Sequence, residues 1–380
     1  MHDIPLILSA KEYQSNGQLS NIAAETDSTF GDLIHVNGQP WPYFNVEPRK
    51  YRLRFLNAAV SRTFRLYFQR ATGSTAKIPF KVIASDAGLL TGPAATDNLY
   101  ISMAERYEVV FDFSPFAGQN ITLRNYDDVG ADEDYLQTNK VMRFVVSSTP
   151  VTDTSVVPNT LATVNFPAPS GPGVDHHFEF HRTNGEWRIN GIGFNDVENR
   201  VLANVPRGTV EVWELENGGG GWSHPIHIHL VDFRVLSRSD DDDRVVYNYE
   251  SQGLKDVVWL APNEIVKVEA HYAPWDGVYM FHCHNLVHED VSFFRSFPVS
   301  SPHSLRFPHF SNSKPARDDG SLQRDQAPRP RLRRDRFPRP HGGPLESRGR
   351  HPRQVHPGRH HGQGAVHGRP GALQQRRGGL

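Results

Sequence analysis

The chain has 380 residues, enough for two domains, and a formal net charge of −1 at pH 7. This near-neutral total conceals two opposed parts, because residues 291–380 hold 18 Lys+Arg against 5 Asp+Glu whereas the remainder holds 23 against 37. Its single cysteine, Cys283, excludes an intrachain disulfide, and no apolar run is long enough to span a membrane.

The first 150 residues predict an all-β domain. Short runs rich in β-branched and aromatic residues alternate with turn signals such as Asn37-Gly38, a pattern typical of a β-sandwich. The predicted strands cover residues 4–8, 50–57, 64–68, 80–84, 105–113 and 141–146. We therefore expect a first sandwich over residues 1–150.

A stretch rich in Thr, Pro and Ser follows and is typical of a linker, which we place at residues 151–175. A second set of strands is predicted at residues 178–182, 187–189, 210–215, 227–237, 256–260, 265–270 and 277–282. These strands indicate a second sandwich over residues 176–295, and long helical periodicity is absent.

The tail, residues 296–380, is rich in Arg, Pro, Gly and His and contains no Ile, Tyr, Met, Trp, Cys or Thr. Such a segment cannot bury enough apolar surface to offset its chain entropy. We expect it to be disordered or translated out of frame. Nucleic-acid binding through this basic tail is an alternative that the acidic body and the lack of interleaved aromatics disfavour.

Two histidine-rich clusters carry the chemistry. One is the run His-Pro-Ile-His-Ile-His at residues 224–229, and the other is His-Cys-His-Asn-Leu-Val-His-Glu-Asp at residues 282–290. Residues two apart on a strand share a face, so His282 and His284 are expected opposite Cys283. By the same rule His227 and His229 share a face, and His288 can return to the side of Cys283 through a turn.

This arrangement predicts two metal sites. Two imidazoles and a thiolate are the ligands of a blue-copper electron-transfer site, here His224, Cys283 and His288. A second site gathers four imidazoles, which suits copper that binds oxygen: His227, His229, His282 and His284. A lone cysteine is more often a small buried hydrophobe, and zinc also takes Cys and His. Histidines on both sides of a cysteine in one strand favour copper over zinc.

The two clusters resemble the third and fourth copper motifs of the multicopper oxidases. Their residues are most similar to those of the fungal bilirubin oxidase group. Residues 34–42, 103–113 and 254–260 are similar to the same family, and the resemblance covers about residues 3–290. It implies two cupredoxin-like (plastocyanin-like) Greek-key sandwiches that correspond to the second and third domains of the family.

The resemblance also implies a secreted copper enzyme that oxidises a phenolic or tetrapyrrole donor, bilirubin-like or laccase-like in type, and reduces oxygen to water. By motif position, the blue copper would be bound by His224, Cys283 and His288. His227 would bind the lone copper of a three-copper cluster, and its coupled pair would be bound by His229, His282 and His284. Electrons would pass from Cys283 to His282 and His284. Trp222 either shapes the donor surface or belongs to the core.

The sequence departs from the family in several places. The family's opening domain supplies two further His-x-His motifs, so we expect half of the cluster ligands to come from a missing first domain or a partner chain. No signal peptide is recognisable, and His176, His177 and His181 match no motif and are expected at the surface. Phe293 stands where an axial Met is expected. The alternative function is therefore a non-catalytic blue-copper electron-transfer or copper-binding protein.

Overall fold

The computed structural model describes residues 2–126, 137–171, 173–239, 244–290 and 294–301. It confirms the all-β expectation, because strands dominate the described residues and the helices are single short turns. Among those residues, no helix combines the length and apolar character that crossing a bilayer would need.

The first sandwich is built from two sheets. One has the order β3-β2-β1-β5-β11-β8-β9, and the other has the order β10-β6-β12-β13-β4 with β7 added to β6. The strands are Asp3–Lys11 (β1), Leu33–Val36 (β2), Gln39–Pro40 (β3), Tyr43–Val46 (β4), Lys50–Asn57 (β5), Phe64–Arg70 (β6), Lys77–Ile78 (β7), Phe80–Ser85 (β8), Gly88–Thr96 (β9), Leu99–Ile101 (β10), Arg106–Asp112 (β11), Asn120–Asn125 (β12) and Lys140–Val146 (β13). A short 3-10 helix, Ser114–Phe116, follows β11.

Period-two burial explains why these residues form a sandwich. In β5, Tyr51, Leu53 and Phe55 are buried while Arg52 and Arg54 point outward, and the paired β11 alternates in the same way. The inward side chains of the two sheets form one apolar core.

The second sandwich also has two sheets, of order β15-β14-β17-β21-β19 and β16-β23-β22-β18-β20. Its strands are His176–Thr183 (β14), Glu186–Ile189 (β15), Val205–Pro206 (β16), Val210–Asn217 (β17), His224–Ile228 (β18), Phe233–Ser239 (β19), Val257–Leu260 (β20), Ile265–His271 (β21), Gly277–Cys283 (β22) and Phe294–Ser300 (β23). Two short helices, Asn248–Ser251 (α1) and Leu286–Asp290 (α2), lie between strands.

The strand predicted over residues 227–237 is wrong in one respect. The chain forms two strands there, β18 and β19, which belong to different sheets. The break falls at Leu230, whose φ of 76° lies in the left-handed region and cannot continue a strand. As a result, β18 ends beside β22, and the two histidine-rich clusters become neighbours.

Two boundaries expected from the sequence look different in the structure. Strand β23 pairs with β22 and buries Phe297 and Val299, so the last sheet continues to Ser300, beyond the limit expected at residue 295. The segment expected as a linker has no strand but follows the first sandwich, where Asp153 accepts a hydrogen bond from Lys50 N and Leu161 N donates to Thr91 O. The expectation of disorder for the tail lies, from residue 302 onward, outside the described residues.

Buried ions join the two sandwiches. Lys255 Nζ, fully buried, lies 2.9 Å from Asp86 Oδ2 and 3.0 Å from Glu105 Oε1 and donates to Tyr107 Oη at 2.8 Å. Burial alone would lower the pKa of Lys255, but the two carboxylates raise it well above its ordinary value. Lys255 is therefore charged and ties the second sandwich to strands β8 and β11.

Candidate metal centre

The register of β18 and β22 sets the geometry of the candidate site. Ile226 pairs with Cys283 and His227 with His282. Because alternate residues point to opposite faces, Cys283 and His224 face the core of the sandwich while His227 and His282 face away from it. The histidine-rich strands therefore divide their candidate ligands between two sides of one sheet, as the spacing of the residues predicted.

On the core side lies a cluster of three buried side chains, His224, Cys283 and His288, which we call the core-face cluster. His224 Nδ1 is 3.6 Å from Cys283 Sγ, His288 Nδ1 is 3.7 Å from the same sulfur, and the two Nδ1 atoms are 3.2 Å apart. Three donor atoms thus converge on one point. Two imidazole nitrogens and a sulfur in this arrangement fit a copper ion of the blue type.

Burial determines the protonation states of this cluster. It lowers the pKa of His224 to about 3 and that of His288 well below its usual range, so both rings are neutral near pH 7. Burial raises the pKa of the Cys283 thiol well above its ordinary value. A bound cation reverses this effect, since a coordinating thiol is deprotonated, and copper binding should therefore release a proton.

Helix α2 returns His288 to the side of Cys283. Asn285, 2% exposed, begins the turn: its backbone N–H donates to Cys283 Sγ at 3.5 Å, and its Oδ1 accepts from Val287 N at 3.2 Å. This is the pattern of a helix N-cap. The sequence had anticipated the turn but not the role of Asn285.

On the opposite side, His227, His229 and His282 form a second group, the outer-face cluster, whose candidate ligand atoms all lie within 4.8 Å of one another. His229 Nε2 and His282 Nε2 are 3.2 Å apart. His227 Nδ1 donates to Asp256 O at 2.7 Å, and His282 Nδ1 donates to Cys283 O at 3.1 Å. Each hydrogen bond to a backbone carbonyl holds the ring proton on Nδ1. Nε2 is therefore unprotonated and available on the side of the cluster.

His284 lies at the margin of this group. Its ring centroid is 5.3 Å from that of His282 and 6.0 Å from that of His227. Its backbone N–H donates to Pro225 O at 2.6 Å, which holds the residue beside β18. The structure thus brings three of the four predicted imidazoles into one group and places His284 next to it.

Glu289 is a site residue that the sequence analysis did not single out. Its Oε2 lies 3.7 Å from His282 Nδ1 and 3.8 Å from His284 Nδ1. Burial, with a smaller contribution from Asp290, raises the pKa of Glu289 to about 7. The signal that could have found it is its position directly after His288, where a helical turn aims it back at β22.

Trp222 lies beside the core-face cluster and packs, partly buried, against the hydrophobic core. Its ring meets Trp187 and His288 edge-on, at centroid distances of 5.8 and 6.1 Å. It also lines a cavity of about 450 Å³ whose other walls are His181, Arg182, Gly185, Gly218, Gly219 and Gly220. Trp222 therefore packs against the core and also forms part of a cavity wall, while its role at a donor surface stays a prediction.

His176, His177 and His181 do not join either cluster. His176 lies 3.3 Å from Glu211, His177 contacts Glu214 at 3.0 Å, and His181 lines the cavity beside Trp222. Phe293, the expected axial position, lies outside the described residues.

Comparison with known proteins connects this geometry to a family. Sequence models of multicopper oxidase domains match residues 9–141 and 166–303. A bilirubin oxidase from Albifimbria verrucaria is 60% identical over 301 residues, which are 78% of this chain and 52% of that protein. A laccase from Haloferax volcanii is 36% identical, covering 79% of this chain and 53% of that protein.

Solved structures agree with the sequence matches. The McoA multicopper oxidase from Aquifex aeolicus aligns with a TM-score of 0.70 at 30% identity, covering 79% of this chain and 66% of that one. The chain spans about half the length of the curated relatives named above.

Proposed function

Because the chain belongs to the multicopper oxidase family, we propose that it serves the copper-dependent oxidation of a small organic donor, with oxygen as acceptor. The proposed donor is phenolic or tetrapyrrole in type. It gives up electrons one at a time, and four electrons with four protons reduce one oxygen molecule to two waters.

The observation that carries this proposal is the triangle formed by His224 Nδ1, Cys283 Sγ and His288 Nδ1. Copper bound there would supply reversible one-electron redox chemistry. We propose the family roles for all seven ligands: the blue copper would be held by His224, Cys283 and His288, the lone cluster copper by His227, and the coupled pair by His229, His282 and His284.

The chain itself connects the two clusters. Cys283 is bonded through one peptide to His282 and through another to His284, and His282 Nδ1 donates to Cys283 O at 3.1 Å. An electron arriving at Cys283 therefore has one covalent and one hydrogen-bonded route to His282 of the outer-face cluster, and one covalent route to His284 beside it. These residues form the proposed electron path.

Oxygen reduction also consumes protons. Glu289 Oε2, within 4 Å of the Nδ1 atoms of His282 and His284, holds a proton over part of the neutral pH range because its pKa is raised to about 7. We propose that this carboxyl delivers protons on the outer-face side.

The donor is proposed to bind in the cavity beside Trp222. The cavity lies next to the core-face cluster, is lined by glycines that leave room for a planar ring, and has the Arg182 guanidinium on its wall. An indole that contacts both the cavity and the His288 ring suits the transfer of electrons from an aromatic donor.

Three imidazoles and the adjacent His284 are too few to hold three copper ions. We propose that imidazoles outside the described residues, from another segment or a partner chain, complete the cluster. We also propose that the protein acts outside the cell. Detection of the protein in culture medium tests this proposal.

A second candidate is a blue-copper electron-transfer protein without oxygen chemistry. It is favoured by the contrast between the core-face cluster, whose donor atoms converge within the chain, and the outer-face cluster, whose ligand set is partial. The two functions differ in copper content and in oxygen use.

The experiment that separates them combines metal analysis with an oxygen electrode. Purified chain is loaded with copper, freed of excess ion and supplied with a phenolic donor or bilirubin. About four coppers per chain with sustained oxygen uptake support the oxidase. One copper with blue colour and no oxygen uptake supports the electron-transfer protein, and a colourless chain contradicts both.

A further inference from the structure

A segment of the first sandwich covers one ligand of the core-face cluster. Residues 26–28, in the connection between β1 and β2, reach the second sandwich and contact His288; we call them the strap. Asp27 O accepts a hydrogen bond of 2.7 Å from His288 Nε2, and Ser28 Oγ lies 3.5 Å from the same nitrogen. The edge of His288 that points away from Cys283 is therefore closed by the other domain.

The strap and His288 belong to a closed ring of contacts. Trp187 Nε1 donates to Thr26 O at 3.0 Å, and the Trp187 ring packs on the His288 ring with a centroid distance of 3.7 Å. Arg182 forms an ion pair with Asp27 and lies over the Trp187 ring at 5.2 Å. Each member of this ring contacts at least two others, so moving the strap would disturb His288 on its face and its edge together.

A second set of bonds anchors the strap from behind. Asn285 Nδ2 donates to Ser28 Oγ at 3.2 Å, while Asn285 Oδ1 accepts from Ser61 Oγ at 2.8 Å. Ser61 Oγ also accepts from Thr29 N at 2.9 Å. Since Asn285 begins helix α2, the strap is tied to the element that carries His288.

The carbonyl of Asp27 has a chemical consequence as well as a steric one. A carbonyl oxygen only accepts, so the 2.7 Å contact requires the proton of His288 to be on Nε2. Nδ1 is then unprotonated and directed at Cys283. The ring has no exposed surface, whereas the neighbouring Trp222 is partly exposed beside the cavity.

We propose that the strap is a positioning element from the first sandwich that fixes the tautomer of His288 and shields the ring from the donor. Electrons from the donor then reach the core-face cluster on the Trp222 side only. This inference rests on the proposed function, since it concerns the same donor site. If the strap neither shields the ring nor fixes its tautomer, loosening the strap would leave the reactivity of His288 and electron transfer at the core-face cluster unchanged.

The first test needs no metal. The copper-free chain is treated with diethyl pyrocarbonate, and the carbethoxylation rates of His288 and His224 are mapped by mass spectrometry. Asp27→Ala removes the ion pair that anchors the strap; Asp276→Ala removes an exposed Asp–Arg pair, with Arg207 at 2.9 Å, and is the matched control. We expect Asp27→Ala to raise the His288 rate about five- to tenfold and leave His224 unchanged.

A variant with residues 25–28 replaced by two glycines is a second probe, because its shorter strap cannot bring a carbonyl to His288. Equal His288 rates in the wild type and in every folded variant would overturn the inference. So would a joint rise at His224 and His288, which would indicate general loosening of the sandwich.

The second test uses the copper-loaded chain. The visible spectrum is recorded, and the bleaching of the blue colour by hydroquinone is followed by stopped flow. We expect Asp27→Ala to shift the visible band and to bleach about fivefold faster than Asp276→Ala. An unchanged band with unchanged bleaching contradicts the strap alone, whereas a colourless wild type contradicts the proposed function and leaves the carbethoxylation result to decide the strap.

Discussion

Cys283 and His282 are neighbours in the chain, yet their side chains lie on opposite faces of β22. Cys283 Sγ contacts the core-face cluster and His282 Nε2 contacts the outer-face cluster, while a hydrogen bond joins the His282 ring to Cys283 O. One strand therefore separates two candidate metal-binding groups by the width of a backbone.

We predict that copper binding can be removed from one cluster without removing it from the other. His227→Ala and His229→Ala each remove an imidazole from the outer face, so copper bound per chain should fall while the blue colour is retained. His177→Ala, which alters an exposed histidine paired with Glu214, should change neither quantity. Metal analysis and visible absorption provide the measurements, and loss of the colour in a folded His227→Ala chain would show that the clusters are not separate.

We predict that Lys255→Met destabilises the chain strongly. The substitution leaves Asp86 and Glu105 buried without their cation, a situation that costs about 3–5 kcal/mol. Lys267→Met, which removes a half-exposed partner of Glu214, should cost about 0–1 kcal/mol. Urea unfolding of both variants measures the difference in the free energy of unfolding. Equal urea midpoints would show that the buried ions contribute little to the packing of the two sandwiches against each other.

Glu250 is predicted to make the chain sensitive to acid. Although burial raises the pKa of Glu250, its 2.6 Å ion pair with Arg238 outweighs that effect and the pKa is lowered in the folded chain. The unfolded chain then binds the proton first, so stability from this group is present above its unfolded pKa of about 4.3 and is lost as pH falls below it.

Glu250→Gln should therefore lower the melting temperature at pH 7 and reduce its fall between pH 5 and pH 3. Melting curves across that range, recorded beside Glu216→Gln on the exposed side of β17, provide the measurement. A steeper fall in Glu250→Gln than in the wild type would reverse the assigned sign.

The sequence predicted the division of the site because strand alternation depends only on spacing. Cys283 and His282 differ by one position, so their faces had to differ once β22 was recognised as a strand. The all-β class and the copper-type ligand set followed from equally local patterns, and both agree with the structure and the family.

Other features depend on contacts that spacing does not encode. Strand β9 was not predicted because Gly92, Pro93 and Ala94 have low strand propensity. The strand forms because its pairing with β8 overrides that propensity. The turn at Leu230 gave no Gly or Pro signal. The strap lies about 260 residues from His288 in sequence, and a backbone carbonyl leaves no mark in the residue types.

The blue-copper assignment is tested most directly by a copper titration of the wild-type chain and of Cys283→Ser, followed by visible absorption. We predict an intense blue band that develops with the first equivalent of copper in the wild type and is absent from Cys283→Ser. A wild-type chain that binds copper without this band, or a Cys283→Ser chain that shows it, would contradict the assignment of His224, Cys283 and His288 as the blue-copper site.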